Sequence, residues 1–86
     1  MPLFKRGDVV NIFQMSVNRG LLFEGKATVR RYNGSPGDPW DEHYWVSFHE
    51  DGKPTRDQYQ RFIDREGQGD PQQYVEDFNK RIGYRA

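Results

Sequence analysis

The chain has 86 residues, and its 13 Lys and Arg balance its 13 Asp and Glu, so it is formally neutral at pH 7. A chain of this length buries only about 60–65% of its unfolded surface, which points to one small domain with a thin core and little room for a deep catalytic cleft. No cysteine is present, which excludes disulfide frameworks, thiolate metal sites and cysteine nucleophiles.

Hydrophobic residues make up 34% of the chain and aromatic residues 15%. That aromatic content belongs to a folded domain, since disordered chains are poor in rings. No apolar run approaches the roughly 20 residues that a membrane-spanning helix requires. The opening Met1-Pro2-Leu3-Phe4-Lys5-Arg6-Gly7-Asp8 lacks the apolar centre of a signal peptide, so a cytoplasmic location is expected. Charge is unevenly distributed. Lys5, Arg6, Arg19, Lys26, Arg30 and Arg31 outnumber Asp8 and Glu24 before residue 37, whereas residues 37–51 carry Asp38, Asp41, Glu42, Glu50 and Asp51 without one Lys or Arg.

In chain order, Val9-Val10-Asn11-Ile12-Phe13 reads as a strand, rich in β-branched and aromatic types. Asn18-Arg19-Gly20 supplies a turn. Phe23, Gly25, Ala27 and Val29 then alternate with Glu24, Lys26, Thr28 and Arg30, the period of a strand with one buried face. The small residues at 25 and 27 suggest that something bulky crosses closely above them. Asn33 to Pro39 is a loop of turn formers and breakers. A third strand follows, with Tyr44, Val46 and Phe48 inward and His43, Trp45, Ser47 and His49 outward, and Asp51-Gly52 ends it.

The period then changes. Residues 55–66 are expected to be helical from a Thr55–Gln58 capping pattern and the spacing of Tyr59, Phe62 and Ile63; the alternative is a strand with Tyr59, Arg61 and Ile63 on one face. Asp70-Pro71-Gln72-Gln73 places an N-cap, a first-turn proline and a capping-box glutamine before a helix. Its apolar face is Tyr74, Val75, Phe78 and Ile82, and Gly83 ends it.

Gly7-Asp8-Val9-Val10, with Gly25 and Val29 and the later Tyr44-Trp45-Val46-Ser47-Phe48 strand ending in Glu50-Asp51-Gly52, resembles SH3-like small barrels of the KOW and Tudor-like kind. The likeness spans roughly residues 7–52 and implies a binding module. The expected fold is therefore mainly β with a C-terminal helix (α+β): an SH3-like antiparallel barrel or bent sheet over residues 7–52, followed by one or two helices within 55–83.

The strongest candidate site is the aromatic and acidic stretch Trp40, Asp41, Glu42, Tyr44 and Trp45, because exposed indoles bury much area at little entropic cost. It implies a non-enzymatic module that binds a protein partner. The competing reading is that both indoles cover the thin core, or that Trp45 lies beneath the C-terminal helix. An alternative function is nucleic-acid binding by Lys5, Arg6, Arg19, Lys26, Arg30 and Arg31, with Tyr32 as a stacking platform. A third reading makes the aromatic surface a homodimer interface. Asp38, Asp41, Glu42 and His43 fit no calcium-loop or zinc spacing, and no cofactor motif or nucleophile elbow is present. No metal, cofactor, catalytic residue or membrane association is therefore expected.

Overall fold

The computed structural model describes residues 3–35, 37–65 and 69–83. Pro36 of the expected loop and Glu66 at the end of the 55–66 segment lie outside the described residues, as do Met1 and Pro2. Val9–Ser16 forms β1 and Gly20–Tyr32 forms β2, joined by a turn at residues 17–19. His43–Phe48 forms β3, Arg56–Tyr59 forms β4 and Ile63–Arg65 forms β5. They make one antiparallel sheet in the order β4-β3-β2-β1-β5 that does not close on itself. A single α-helix among the described residues, α1 (Pro71–Arg81), follows.

Two bulges curl the long β2. Ile12 pairs with Gly25 but Phe13 pairs with Phe23, which leaves Glu24 as the extra residue. Val29 pairs with Val46 but Arg31 with Trp45, which makes Arg30 extra. Each extra residue bends its strand and increases the local twist. The curl brings β4 towards β1 across the interior, where the buried Gln58 donates through Nε2 to the Phe13 carbonyl at 3.1 Å. Gly25 sits at the first bulge with φ at +142°. A Cβ there would lie 3.7 Å from Lys53 Nζ and 3.8 Å from Phe48, ordinary contact distances. The backbone of the bulge, and not a shortage of space, therefore calls for glycine at this position.

The inner face of the curled sheet carries Val10, Ile12, Ala27, Val29, Tyr44 and Val46, all without exposed surface, closed at the ends by Phe4 and Ile63. Full burial of one such aliphatic side chain is worth about 1.5–3 kcal/mol. Phe13, one residue beyond Ile12, points the other way and joins Leu21 and Val75, with Phe23, Phe62 and Phe78 packed around them. β1 is thus covered on both faces, which explains its nearly unbroken apolar run.

α1 provides the second cover. Asp70 caps it by accepting from the Gln72 amide at 3.0 Å, Pro71 opens it, and Lys80 and Arg81 lie in its last turn, where cations complement the helix dipole. Gln73 does not complete the expected capping box; its side chain donates to Asp77 at 3.0 Å. The helix docks on the β1–β2 hairpin. Asn79 accepts the Leu21 N–H at 2.9 Å and donates to the Leu21 carbonyl at 3.2 Å, and the Tyr74 ring lies 5.1 Å from Phe13. Of the expected apolar face, Val75 is buried and Phe78 half-buried, while Tyr74 is 42% and Ile82 52% exposed.

The helix expected over residues 55–66 is corrected. The segment is β4, a 3-10 turn at Gln60–Phe62, and β5. The edges of β3 and β1 offer backbone groups to pair with, and that tertiary pairing overrides a local spacing that suits either period. Among the described residues the C-terminal part therefore contributes one α-helix, within the expected one or two, to a mainly antiparallel β fold.

Candidate functional site

The loop between β2 and β3 ends in a 3-10 turn at Pro39–Asp41. Asp38 caps it, its Oδ1 accepting from the Trp40 amide at 3.0 Å. This turn presents Trp40 to solvent with 79% of its surface exposed, the most exposed ring among the described residues. The loop closes tightly beneath it. A Cβ on Gly34 would fall 1.8 Å from the Asp41 carbonyl oxygen and 3.0 Å from the Tyr32 hydroxyl, so only glycine fits.

Behind the turn, His43 stands between two carboxylates. Its Nε2 lies 3.1 Å from Asp41 Oδ1 and its Nδ1 lies 3.3 Å from Asp57 Oδ1. Asn33 Nδ2 donates to the same Asp57 oxygen at 2.8 Å, tying the start of the loop to β4. The Tyr59 ring, half-exposed, is 5.8 Å from the imidazole. His43, Asp57, Gln58 and Tyr59 line a recess of about 150 Å³. A hydrogen bond from Ser35 holds the Asp41 carboxyl below the ordinary carboxylate range, and His43 adds to this against an opposing effect of burial. Burial first, then a hydrogen bond with Glu42, pushes the Tyr32 phenol up to about 12.

The expected interaction residues divide. Trp40 is exposed, and Asp41 and Trp45 are half-buried. Tyr44 and Glu42 are corrected as surface contacts. Tyr44 has no exposed area, and its hydroxyl accepts the Leu3 amide at 2.8 Å and donates to Gln60. Glu42, 7% exposed, is turned towards Tyr32. Strand alternation had already placed Tyr44 inward; nothing local marks Glu42 as buried. Sequence reasoning missed His43, Asp57, Tyr59 and Asn33 as one group. They meet only because β3 and β4 pair His43 with Tyr59 and Trp45 with Asp57, a pairing hidden while residues 55–66 read as helix.

The basic set also divides. Lys26, Arg30 and Arg31 are exposed along β2, and Arg30 Nε donates to Ser47 at 2.8 Å. Lys5 and Arg6 are exposed in the turn before β1, and Gly7 of that turn bonds to Val29 of β2. Arg19 lies apart, in the β1–β2 turn at the opposite end of β2. Tyr32 is corrected as a stacking platform: its ring packs on Tyr44 at 5.4 Å and its hydroxyl is buried beside Glu42.

Among the described residues, no group of three or more His, Asp or Glu side chains is placed to hold a metal ion, and no helix is long and apolar enough to cross a membrane. Comparison with family models, curated proteins and solved structures returns no match for this chain.

Proposed function

We propose that the chain is a small SH3-like binding module that engages a protein partner, without catalysis, through the surface around Trp40. The observation that carries this reading is the indole itself, 79% exposed on a capped turn that closes over Gly34. Leaving a large ring in water forgoes stabilisation that a thin core needs, and a rigid aromatic on a fixed support makes an effective anchor. Asp41, the next residue, connects the turn through His43 to Asp57 and to the exposed Tyr59 ring, which adds acidic and aromatic groups to the same part of the molecule. The barrel part of the proposal is supported by the strand order β4-β3-β2-β1-β5, by a bulged β2 that pairs on both sides, and by the 3-10 turn leading into β5.

Trp40→Ala is the test. Partner capture from a lysate of the native host falls, and the melting temperature stays within about 2 °C, as for an exposed side chain outside the core. Unchanged capture, or a large drop in melting temperature, rejects the reading. One observation favours nucleic acid as a second reading: the bulge at Arg30 leaves two successive arginines exposed on β2, the strand that also carries exposed Lys26. Oligonucleotide binding that falls steeply with salt and is lost in Arg30→Glu supports that alternative.

A further inference from the structure

The geometry points to His43 as a proton-operated fastener of the Trp40 turn: the doubly protonated ring ties Asp41 to Asp57, and the neutral ring releases the turn. This inference rests on Trp40 being the anchor, and it concerns how that anchor is held.

Both ring nitrogens of His43 face a carboxylate oxygen, at 3.1 Å on the Asp41 side and 3.3 Å on the Asp57 side. An imidazolium has two N–H groups and can donate to both; a neutral imidazole has one N–H and one lone pair, so one carboxylate must then face a lone pair. Histidine is the side chain whose ordinary proton equilibrium falls within the physiological range. The ring is largely enclosed, with 19% of the side chain exposed, so repulsion there is only partly screened by water.

The two carboxylates are not equally free to move. Asp57 belongs to β4, within the ladder to β3, and is also held by Asn33. Asp41 sits at the end of a three-residue turn held otherwise by Ser35, by the Asp38 cap and, one residue on, by the Glu42 carbonyl accepting from the Gln60 amide at 2.9 Å; its side chain is outside any strand ladder. The other groups around the ring do not substitute for the link. Tyr59 presents its ring, and Arg61 is stacked on Tyr59 at 5.0 Å. Glu42 is turned towards Tyr32, and Arg31 stands in register with Trp45, two residues further along β3. When the ring loses its proton, the Asp41 side therefore gives way, and Trp40, the residue before it, loses its fixed direction.

The test uses the free, isotopically labelled protein, titrated from pH 5 to 8.5 while the His43 ring, the Trp40 indole and the Trp40 and Asp41 amides are followed by NMR. The Trp40 and Asp41 signals should move with the same midpoint as the His43 ring. Protection of their amides from exchange, corrected for intrinsic rates, should fall by about threefold to tenfold above it, as expected for the loss of one hydrogen bond. His43→Gln should remove the response, Asp41→Asn should leave the ring titrating while Trp40 stays silent, and His49→Gln should change nothing. A Trp40 turn indifferent to pH in the unaltered protein, a response that survives His43→Gln or Asp41→Asn, or one lost in His49→Gln overturns the inference. No partner takes part in the measurement. Failed capture would remove the anchor reading while the pH response of the turn is still measured, and a pH-indifferent turn would remove the fastener while capture is unaffected, so the two failures are distinguishable.

Discussion

Tyr44 joins the N-terminal segment to the inner face of the sheet. Its ring lies against Phe4 at 5.5 Å and Tyr32 at 5.4 Å, and its hydroxyl serves Leu3, Phe4 and Gln60 together. Tyr44→Phe preserves the packing, strands the Phe4 amide and leaves the Leu3 amide only its longer bond to Gln60 Oε1 at 3.3 Å. It should cost about 1–3 kcal/mol in chemical denaturation, with the loss of exchange protection centred on Leu3 and Phe4. Tyr32 gives a second test at this scale. Its pKa is pushed up from the ordinary 10 to about 12, by burial first and then by Glu42. A raised folded-state value means that the contribution is complete below the unfolded value and is lost as pH rises through the folded one. An ultraviolet titration of the protein minus that of Tyr32→Phe should therefore show one late phenolate transition near pH 12. The inward place of Tyr44 is legible from the period-two alternation of residues 43–49. The burial of Glu42 and the hold on Tyr32 are not, because both depend on a loop closure that passes over Gly34.

At the scale of elements, the glycine of the first bulge and the cap of α1 separate two kinds of sequence signal. Asp70 acts through its immediate neighbours, so its role is readable from Asp-Pro-Gln alone. Asp70→Ala should cost about 1 kcal/mol, measured as a lowered denaturation midpoint with an unchanged slope. Gly25 acts through a register shift that local composition does not reveal. The sequence suggests a close crossing, whereas the actual constraint is a φ of +142°. Gly25→Ala should cost about 1–3 kcal/mol even though the space beside it is adequate. Residues 55–66 illustrate the remaining limit. Their apolar spacing fits a helix or a strand, and the partners that decide the matter, β3 and β1, lie elsewhere in the chain.

Across the whole molecule, the two apolar clusters share β1, with Val10 and Ile12 inside and Phe13 outside. A single truncation there should not produce a partly folded form. Ile12→Ala should cost about 2–5 kcal/mol, and circular dichroism and ring fluorescence should lose signal in one coincident transition. The overall class, mainly β with a terminal helix, follows from periods written into the sequence; the face that the helix covers does not. Its apolar positions state only that something must be covered, and Phe13, Leu21 and Phe62 come together only once the sheet has curled. The amide of Asn79 has a consequence of its own. By giving and taking one hydrogen bond at Leu21, it fills the place that a neighbouring strand would occupy. A chain shortened before Asp70 would present that backbone bare, as a template on which other copies could stack into fibrils.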